Sequence, residues 1–210
     1  RQSRPENGVY LQSGVIYRNG KKIMAAADIR IPGVHNIENY MAAACAVEGL
    51  ATDEDIDEVA RTFAGVEHRI EFVREKDGVK YYNDSIASSP SRTIAGLHSF
   101  QQKLVLIAGG YDKKIPFDVL GPEICAHVRL LILCGATAEK IEAAVCGAPE
   151  YRPGQPEILH AKTLAEAVQL AHAHAVLGDI VTLSPACAAF DQFKNFMVRG
   201  ETYKSLVQAL

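Results

Sequence analysis

Three segments of this 210-residue sequence hold side chains whose types and order suit the binding of anions. Asn83-Asp84-Ser85-Ile86-Ala87-Ser88-Ser89-Pro90 sets a carboxylate and a run of hydroxyls ahead of a proline suited to a first helical turn. The free N–H groups of such a helix start attract negative charge, although the same letters also describe an ordinary capped helix. Gly109-Gly110-Tyr111-Asp112-Lys113-Lys114 allows close backbone approach and supplies two cations; its other reading is a glycine-rich turn with solvated lysines. From Ser184 to Phe196 a strand runs into a loop bearing Phe190, Phe193 and Phe196, aromatics that serve either a binding cleft or the core. Cys187 in that loop has no histidine or acid in a supporting pattern, so packing is the preferred reading over a nucleophile. The 5 cysteines are scattered without a C-x-x-C pair, as reduced thiols would be. His172 and His174 fall two apart on a helix and face different ways, so no metal site is expected.

The elements around these segments predict where they sit. Val9-Tyr10-Leu11 and Val15-Ile16-Tyr17, with a turn at Asn19-Gly20, read as a small β-meander to about Arg30. A helix follows from Asn36 to about Gly49, and Thr52 to Asp55 caps a second one whose stripe is Ile56, Val59, Ala60 and Phe63. From about Glu67 strands and helices alternate. A hairpin turns at Lys76-Asp77-Gly78, and apolar strands follow at Leu104–Ala108, Leu130–Cys134 and Ile180–Leu183, with a weaker one at Ile158–His160. Ser89-Pro90, Ala138–Val145 and a capping box at Thr163–Glu166 mark helices between them. This pattern predicts an α/β fold: a doubly wound, Rossmann-like, mostly parallel sheet over residues 67–210 with helices on both faces, preceded by a smaller strand and helix unit. In such sheets ligands collect beyond the carboxyl ends of strands, where all three segments fall.

Composition narrows the function. With 48% hydrophobic and 22% charged residues the chain is too apolar for a disordered segment. A net charge of −3 without a block of like charge argues against a nucleic-acid partner. Neither a membrane-spanning run nor a signal-peptide stretch is present, so no membrane partner and a cytoplasmic location are expected. No G-x-x-x-x-G-K-[ST] occurs, which excludes a free-standing P-loop ATPase, and no G-x-G-x-x-G follows a strand, which counts against a self-contained dinucleotide site.

Taken together, the motifs carry a resemblance. Gly33-Val34-His35-Asn36-x-x-Asn39, His68-Arg69, Asn83-Asp84-Ser85, Gly109-Gly110-x-Asp112-Lys113 and Ser184-Pro185-Ala186-Cys187, then Asp191 to Phe196 and Arg199-Gly200, resemble the Mur ligase family in order and spacing over essentially the whole chain. The last string resembles the branch that adds D-glutamate. The resemblance implies that residues 1–66 are the end of a central ATP-binding domain and 67–210 a complete C-terminal amino-acid-binding domain. The chain, which starts at Arg1, would then be part of a longer protein, monomeric, with its P-loop and metal-binding lysine before Arg1.

The same resemblance implies the chemistry. ATP with Mg²⁺ phosphorylates the carboxylate of UDP-N-acetylmuramoyl-L-alanine, and the amine of D-glutamate displaces phosphate from the acyl phosphate to form an amide. It places Asn36 and Asn39 at the adenine, His68 and Arg69 at the interdomain hinge with Arg69 toward the phosphates, and Asp84 on the nucleotide side. Ser88 and Lys113 would hold the α-carboxylate of D-glutamate, and Phe190 and Phe196 would line the end that receives its side-chain carboxylate. No catalytic residue and no metal ligand is assigned within this stretch, which is expected to be inactive alone. Two positions depart from the family: Ile86 stands for a lysine, with Arg92 or Lys114 expected to make up the charge, and Ala189 stands for a serine. The competing readings are a sister or folylpolyglutamate-type ligase taking another amino acid, and a non-catalytic nucleotide- or amino-acid-binding module.

Overall fold

Asn19-Gly20 and Asp77-Gly78 take paired positive φ values of 51° and 80°, and of 52° and 73°. That is the backbone of a type I′ turn, whose twist matches the strands it joins, so both expected hairpins close with two-residue turns. In the computed structural model, which describes residues 7–210, the chain divides between Gly65 and Val66 into two compact units.

The first unit is a three-stranded antiparallel sheet of β1 (Val9–Gln12), β2 (Val15–Arg18) and β3 (Lys21–Ala25). A 3-10 turn at Ala26–Asp28 leads on to α1 (Val34–Ala46) and α2 (Asp53–Thr62). Ile16, Met24, Ala44, Ile56 and Ala60 form its core. Thr52 and Asp55 make the reciprocal cap, the Asp55 amide to Thr52 Oγ1 at 3.1 Å and the Thr52 amide to the Asp55 carboxylate at 2.9 Å. Only half of the stripe expected on α2 is covered, since Val59 and Phe63 are exposed.

The second unit opens with the antiparallel pair β4 (Glu71–Lys76) and β5 (Val79–Asn83). It continues through α3 (Pro90–Leu97), β6 (Leu104–Ala108), α4 (Leu120–His127), β7 (Val128–Cys134), α5 (Ala138–Cys146) and β8 (Glu157–Ala161) to α6 (Leu164–His174), β9 (Ile180–Leu183) and α7 (Phe196–Gln208). The sheet order is β4-β5-β9-β6-β7-β8, with every pairing from β5 onward parallel. Strand side chains alternate between two cores: Val105, Ile107, Ile132 and Val181 pack on α6 and α7, whereas Leu104, Leu106, Leu131 and Leu133 pack on α3, α4 and α5. This is the doubly wound α/β arrangement with helices on both faces. Among the described residues, no helix is long and apolar enough to cross a membrane.

Two caps differ from expectation. Ser89 precedes α3, yet its hydroxyl lies 3.3 Å from Ser91 Oγ instead of capping the helix. Thr163 Oγ1 accepts from the Glu166 amide, but the Glu166 carboxylate turns to the Lys162 amide at 2.7 Å, so the box is half made. Two helices lie outside the three that the sequence marks in this unit: α4, and α7, which starts at the last aromatic of the third segment.

The strand order creates the crevice. After β8 the strand order reverses and β9 returns between β5 and β6, so the helices that follow β9 and its two neighbours lie on opposite faces. Ligands bind beyond the carboxyl ends at such a reversal. Gly109 lies there at φ 112°, and a Cβ on it would stand 1.9 Å from the Cys134 carbonyl oxygen. Gly109→Ala is therefore expected to destabilise this unit by about 2–3 kcal/mol, through a disfavoured backbone and a clash that only backbone movement relieves. Urea unfolding measures it, and a loss below about 0.5 kcal/mol would contradict this packing.

Candidate functional site

Three loops meet at the carboxyl ends of β5, β9 and β6, and a buried arginine joins two of them to α7. Arg199, in the first turns of α7, is 4% exposed. Its Nε donates to Ser85 Oγ at 3.0 Å, Nη2 to the carbonyls of Ser85 and Cys187 at 2.9 and 3.0 Å, and Nη1 to the Ala188 carbonyl at 3.1 Å. Burial lowers its pKa to about 10, opposed by Cys187, Asp191 and Cys134, so the guanidinium stays charged at neutral pH. Sequence reasoning quoted Arg199-Gly200 within a motif and assigned it no part. Its only sequence signal is its place in the Arg199-Gly200 motif, since the helix that carries it is not among those the sequence marks.

Asp84, directly after β5, is buried as well. Its carboxylate accepts from Ser184 Oγ at 2.7 Å and from the Ile70 amide. Burial raises its pKa to about 7 against these two donors and the positive charges of Arg69 and Arg92. The displaced carboxyl thus lies at the strand-end crevice within the field of the Arg69 and Arg92 charges. Gly96 of α3 makes the close packing possible, since a Cβ there would lie 2.9 Å from Asp84 Oδ2.

His68-Arg69-Ile70 carries local strain, with φ at 63° for His68 and 46° for Ile70, a β-branched residue for which that region is costly. His68 is buried. Its Nδ1 lies 2.9 Å from Asn83 Nδ2 and so accepts, placing the ring proton on Nε2, toward Glu67 and Glu201 at 4.0 and 3.8 Å. A Cβ on Gly200 would lie 2.3 Å from His68 Nδ1, so the glycine is what admits the ring. Phe196 packs edge-on to that ring at 5.9 Å. Arg69, between the two strained residues, is exposed. Of the expected pair, the arginine is thus free to meet a ligand and the histidine is spent on internal contacts.

The loop after β6 is fastened to the loop after β9 by the Tyr111 amide on the Ala188 carbonyl at 2.9 Å and by the Tyr111 and Phe190 rings, 5.9 Å apart. Lys113 is exposed on it. Asp112 fixes the turn by accepting from the Lys114 amide at 2.7 Å and from Lys140 Nζ at 2.5 Å, and the bond to Lys140 holds its carboxyl below the usual range. Lys114 and Lys140 line an open hollow of about 520 Å³ with Asp112 and Phe117. Ser88 and Ile86 are half-buried ahead of α3, joined by the Ser88 amide on the Ile86 carbonyl at 2.8 Å. Ile86 belongs to neither core of this unit, and the Arg92 charge acts on Asp84 nearby.

The aromatics diverge: Phe190 is 63% exposed beside Tyr111, Phe193 packs in the core under α6 and α7, and Phe196 meets His68. Ala189 is buried and its carbonyl accepts from the amides of Gln192 and Phe193. Cys187 is buried too, with Sγ 3.1 Å from Thr137 Oγ1, and burial pushes its thiol up to about 11, so it is no nucleophile at neutral pH. In the first unit Asn36 and Asn39 share one face of α1. The Asn36 amide group donates to the Pro32 carbonyl at 2.6 Å and that of Asn39 to Asn36 Oδ1 at 3.3 Å.

The crevice thus presents an exposed arginine on a strained entry loop and an exposed lysine beside a rim aromatic, cations of the kind that suit anionic ligands. The chain is 50% identical over 204 residues to the UDP-N-acetylmuramoylalanine–D-glutamate ligase of Clostridium beijerinckii, a match covering 97% of this chain and 44% of that protein. It thus spans under half the length of the curated relatives it matches. In structure it resembles the UDP-N-acetylmuramate–alanine ligase MurC of Thermotoga maritima, with a TM-score of 0.64 at 13% identity over 93% of this chain and 42% of that one. It also resembles the ADP complex of Mycobacterium tuberculosis folylpolyglutamate synthase, with a TM-score of 0.63 at 13% identity over 94% and 46%. The family profile described as "Mur ligase, glutamate ligase domain" matches residues 68–187, from His68 through the loops after β5 and β6 to the start of the loop after β9, and on that match the chain belongs to the Mur ligase family.

Proposed function

We propose that this chain is the amino-acid-receiving part of an ATP-dependent ligase that joins D-glutamate to UDP-N-acetylmuramoyl-L-alanine. Residues 1–66 would be the end of its nucleotide-binding domain and 67–210 its C-terminal domain. The observation that carries this reading is the 50% identity along 97% of the chain to a protein bearing that activity in its name. The site is consistent with it, because each expected ligand is anionic and Arg69 and Lys113 stand exposed at the crevice.

In this reading the exposed fork of Arg69 meets nucleotide phosphates, which its planar donors fit. The internal bonds of Asp84 and His68 suit positioning: Asp84 secures the Ile70 amide and hence the bend that presents Arg69, and His68 seats that bend against α7. Asn36 and Asn39 offer paired amides to adenine, which needs a donor and an acceptor together. Lys113 and Ser88 hold the D-glutamate α-carboxylate, while Phe190 and Phe196 wall its other end. The amine so oriented attacks the acyl phosphate formed at the carboxylate of the first substrate, the C–O bond to phosphate breaks, and an amide forms. Mg²⁺ supplies charge neutralisation on the phosphates in such chemistry. The described residues offer no all-oxygen donor cluster of the kind it prefers, so no step is assigned to it through this chain.

The test is a ligation assay of the full-length enzyme with D-glutamate and competing amino acids, beside the 210-residue chain alone. D-glutamate-dependent turnover is expected in the first and none in the second, whose sequence carries no P-loop. Lys113→Ala should lower kcat/KM for D-glutamate roughly ten- to a hundredfold, the loss of a charge-assisted bond, and Lys114→Ala less. The reverse order would move the amino-acid site to the hollow lined by Lys114 and Lys140. A preference for another amino acid would instead identify a sister ligase.

A further inference from the structure

A second cluster of donor atoms lies at the opposite end of the sheet from the crevice. His98 is the C-cap of α3, Glu123 and His127 stand one turn apart on α4, and α4 passes directly into the first residue of β7, so the three gather at the amino ends of the strands. Glu123 Oε2 lies 2.6 Å from His98 Nε2 and 3.6 Å from His127 Nε2. One donor atom from each residue falls within 4.8 Å of the others, and the imidazoles are 4.9 Å apart. A tetrahedral ion with bonds of about 2.0–2.2 Å spaces its ligands about 3.3–3.5 Å apart, so small rotations of exposed side chains suffice to meet it.

The surroundings favour a cation independently of the donors. His98 closes the carboxyl end of α3 and His127 is the last residue of α4, so the negative ends of two helix dipoles converge on the cluster. Two imidazoles and one carboxylate are ligands for zinc and its neighbours, whereas Mg²⁺ favours oxygen alone. We propose that His98, Glu123 and His127 form a binding site for a divalent ion of the zinc class, three protein ligands with the remaining position open to water, which ties the end of α3 to the end of α4. No part of the proposed ligation chemistry is needed for it.

The experiment titrates the purified protein with ZnSO₄ by calorimetry and with CoCl₂ by visible absorption, which reports tetrahedral coordination. One ion per chain is expected, at a Kd of order 10 μM, or about −7 kcal/mol by conversion. His98→Ala, His127→Ala and the isosteric Glu123→Gln should each weaken it at least about tenfold. These side chains are one-third to one-half exposed, so the variants are expected to melt as the parent does without metal. His160→Ala and His174→Ala, at separate surface pairs with Glu142 and Glu157, should leave it unchanged. Absence of binding, or binding that survives His98→Ala and His127→Ala together, would overturn the site. Loss on Glu67→Gln and Glu201→Gln instead would do the same by assigning the metal to the cluster around His68.

Discussion

Replacing Arg199 with alanine is expected to destabilise Val66–Leu210 by about 3–5 kcal/mol, because it removes a charged donor group from a place that water does not fill. The guanidinium satisfies the carbonyls of Ser85, Cys187 and Ala188 and the Ser85 hydroxyl at once. Each hydrogen bond to a charged group contributes about 1.5–3 kcal/mol, and the relief of an otherwise costly buried charge offsets part of the sum. For a unit of this size the melting temperature should fall by roughly 10–16 °C, and the urea midpoint should drop with little change in slope. Arg199→Lys should recover less than half, since a single ammonium cannot span the four acceptors. A loss below about 1 kcal/mol would mean that these carbonyls find other partners. The same substitution should speed amide exchange at Tyr111, whose acceptor is the Ala188 carbonyl that Arg199 also holds.

Asp84→Asn is expected to stabilise the fold in alkaline solution and to lose that advantage in acid. Burial lifts the Asp84 carboxyl to about 7, whereas in the unfolded chain it releases its proton near 4. Between those values the native state holds a proton that the unfolded state has lost, so this group makes stability fall as pH rises through the window. Above pH 7 the folded protein carries an ionised carboxylate that burial penalises. Asparagine keeps the shape and an acceptor for the Ile70 amide, and Ser184 can turn to accept from its NH₂. The advantage of the variant over the parent should therefore grow by about 2–3 kcal/mol between pH 5 and pH 8, read from urea unfolding at each pH. Other titrations cancel in the difference, and a pH-independent difference would refute the displaced carboxyl.

What the sequence by itself determined is mostly local. The strand at Leu104–Ala108 follows from an unbroken apolar run and that at Ile180–Leu183 from β-branched residues closed by Ser184-Pro185, and the type I′ turns follow from Asn19-Gly20 and Asp77-Gly78. The Thr52 cap is made within four residues. The motif letters also carried the family, since their order and spacing belong to the chain itself. Tertiary structure decided the rest, because the deciding partners lie far apart in sequence. The place of β9 between β5 and β6 rests on pairings such as Tyr81 with Val181 and Val105 with Val181. The part of Arg199 depends on acceptors as much as 114 residues away. Periodicity cannot tell that Phe193 enters the core while Phe190 stays on the rim, because the loop turns between them instead of continuing a helix. The charge state of Asp84 was equally out of reach, since a pKa is set by the desolvation and distant donors that the fold brings to one point.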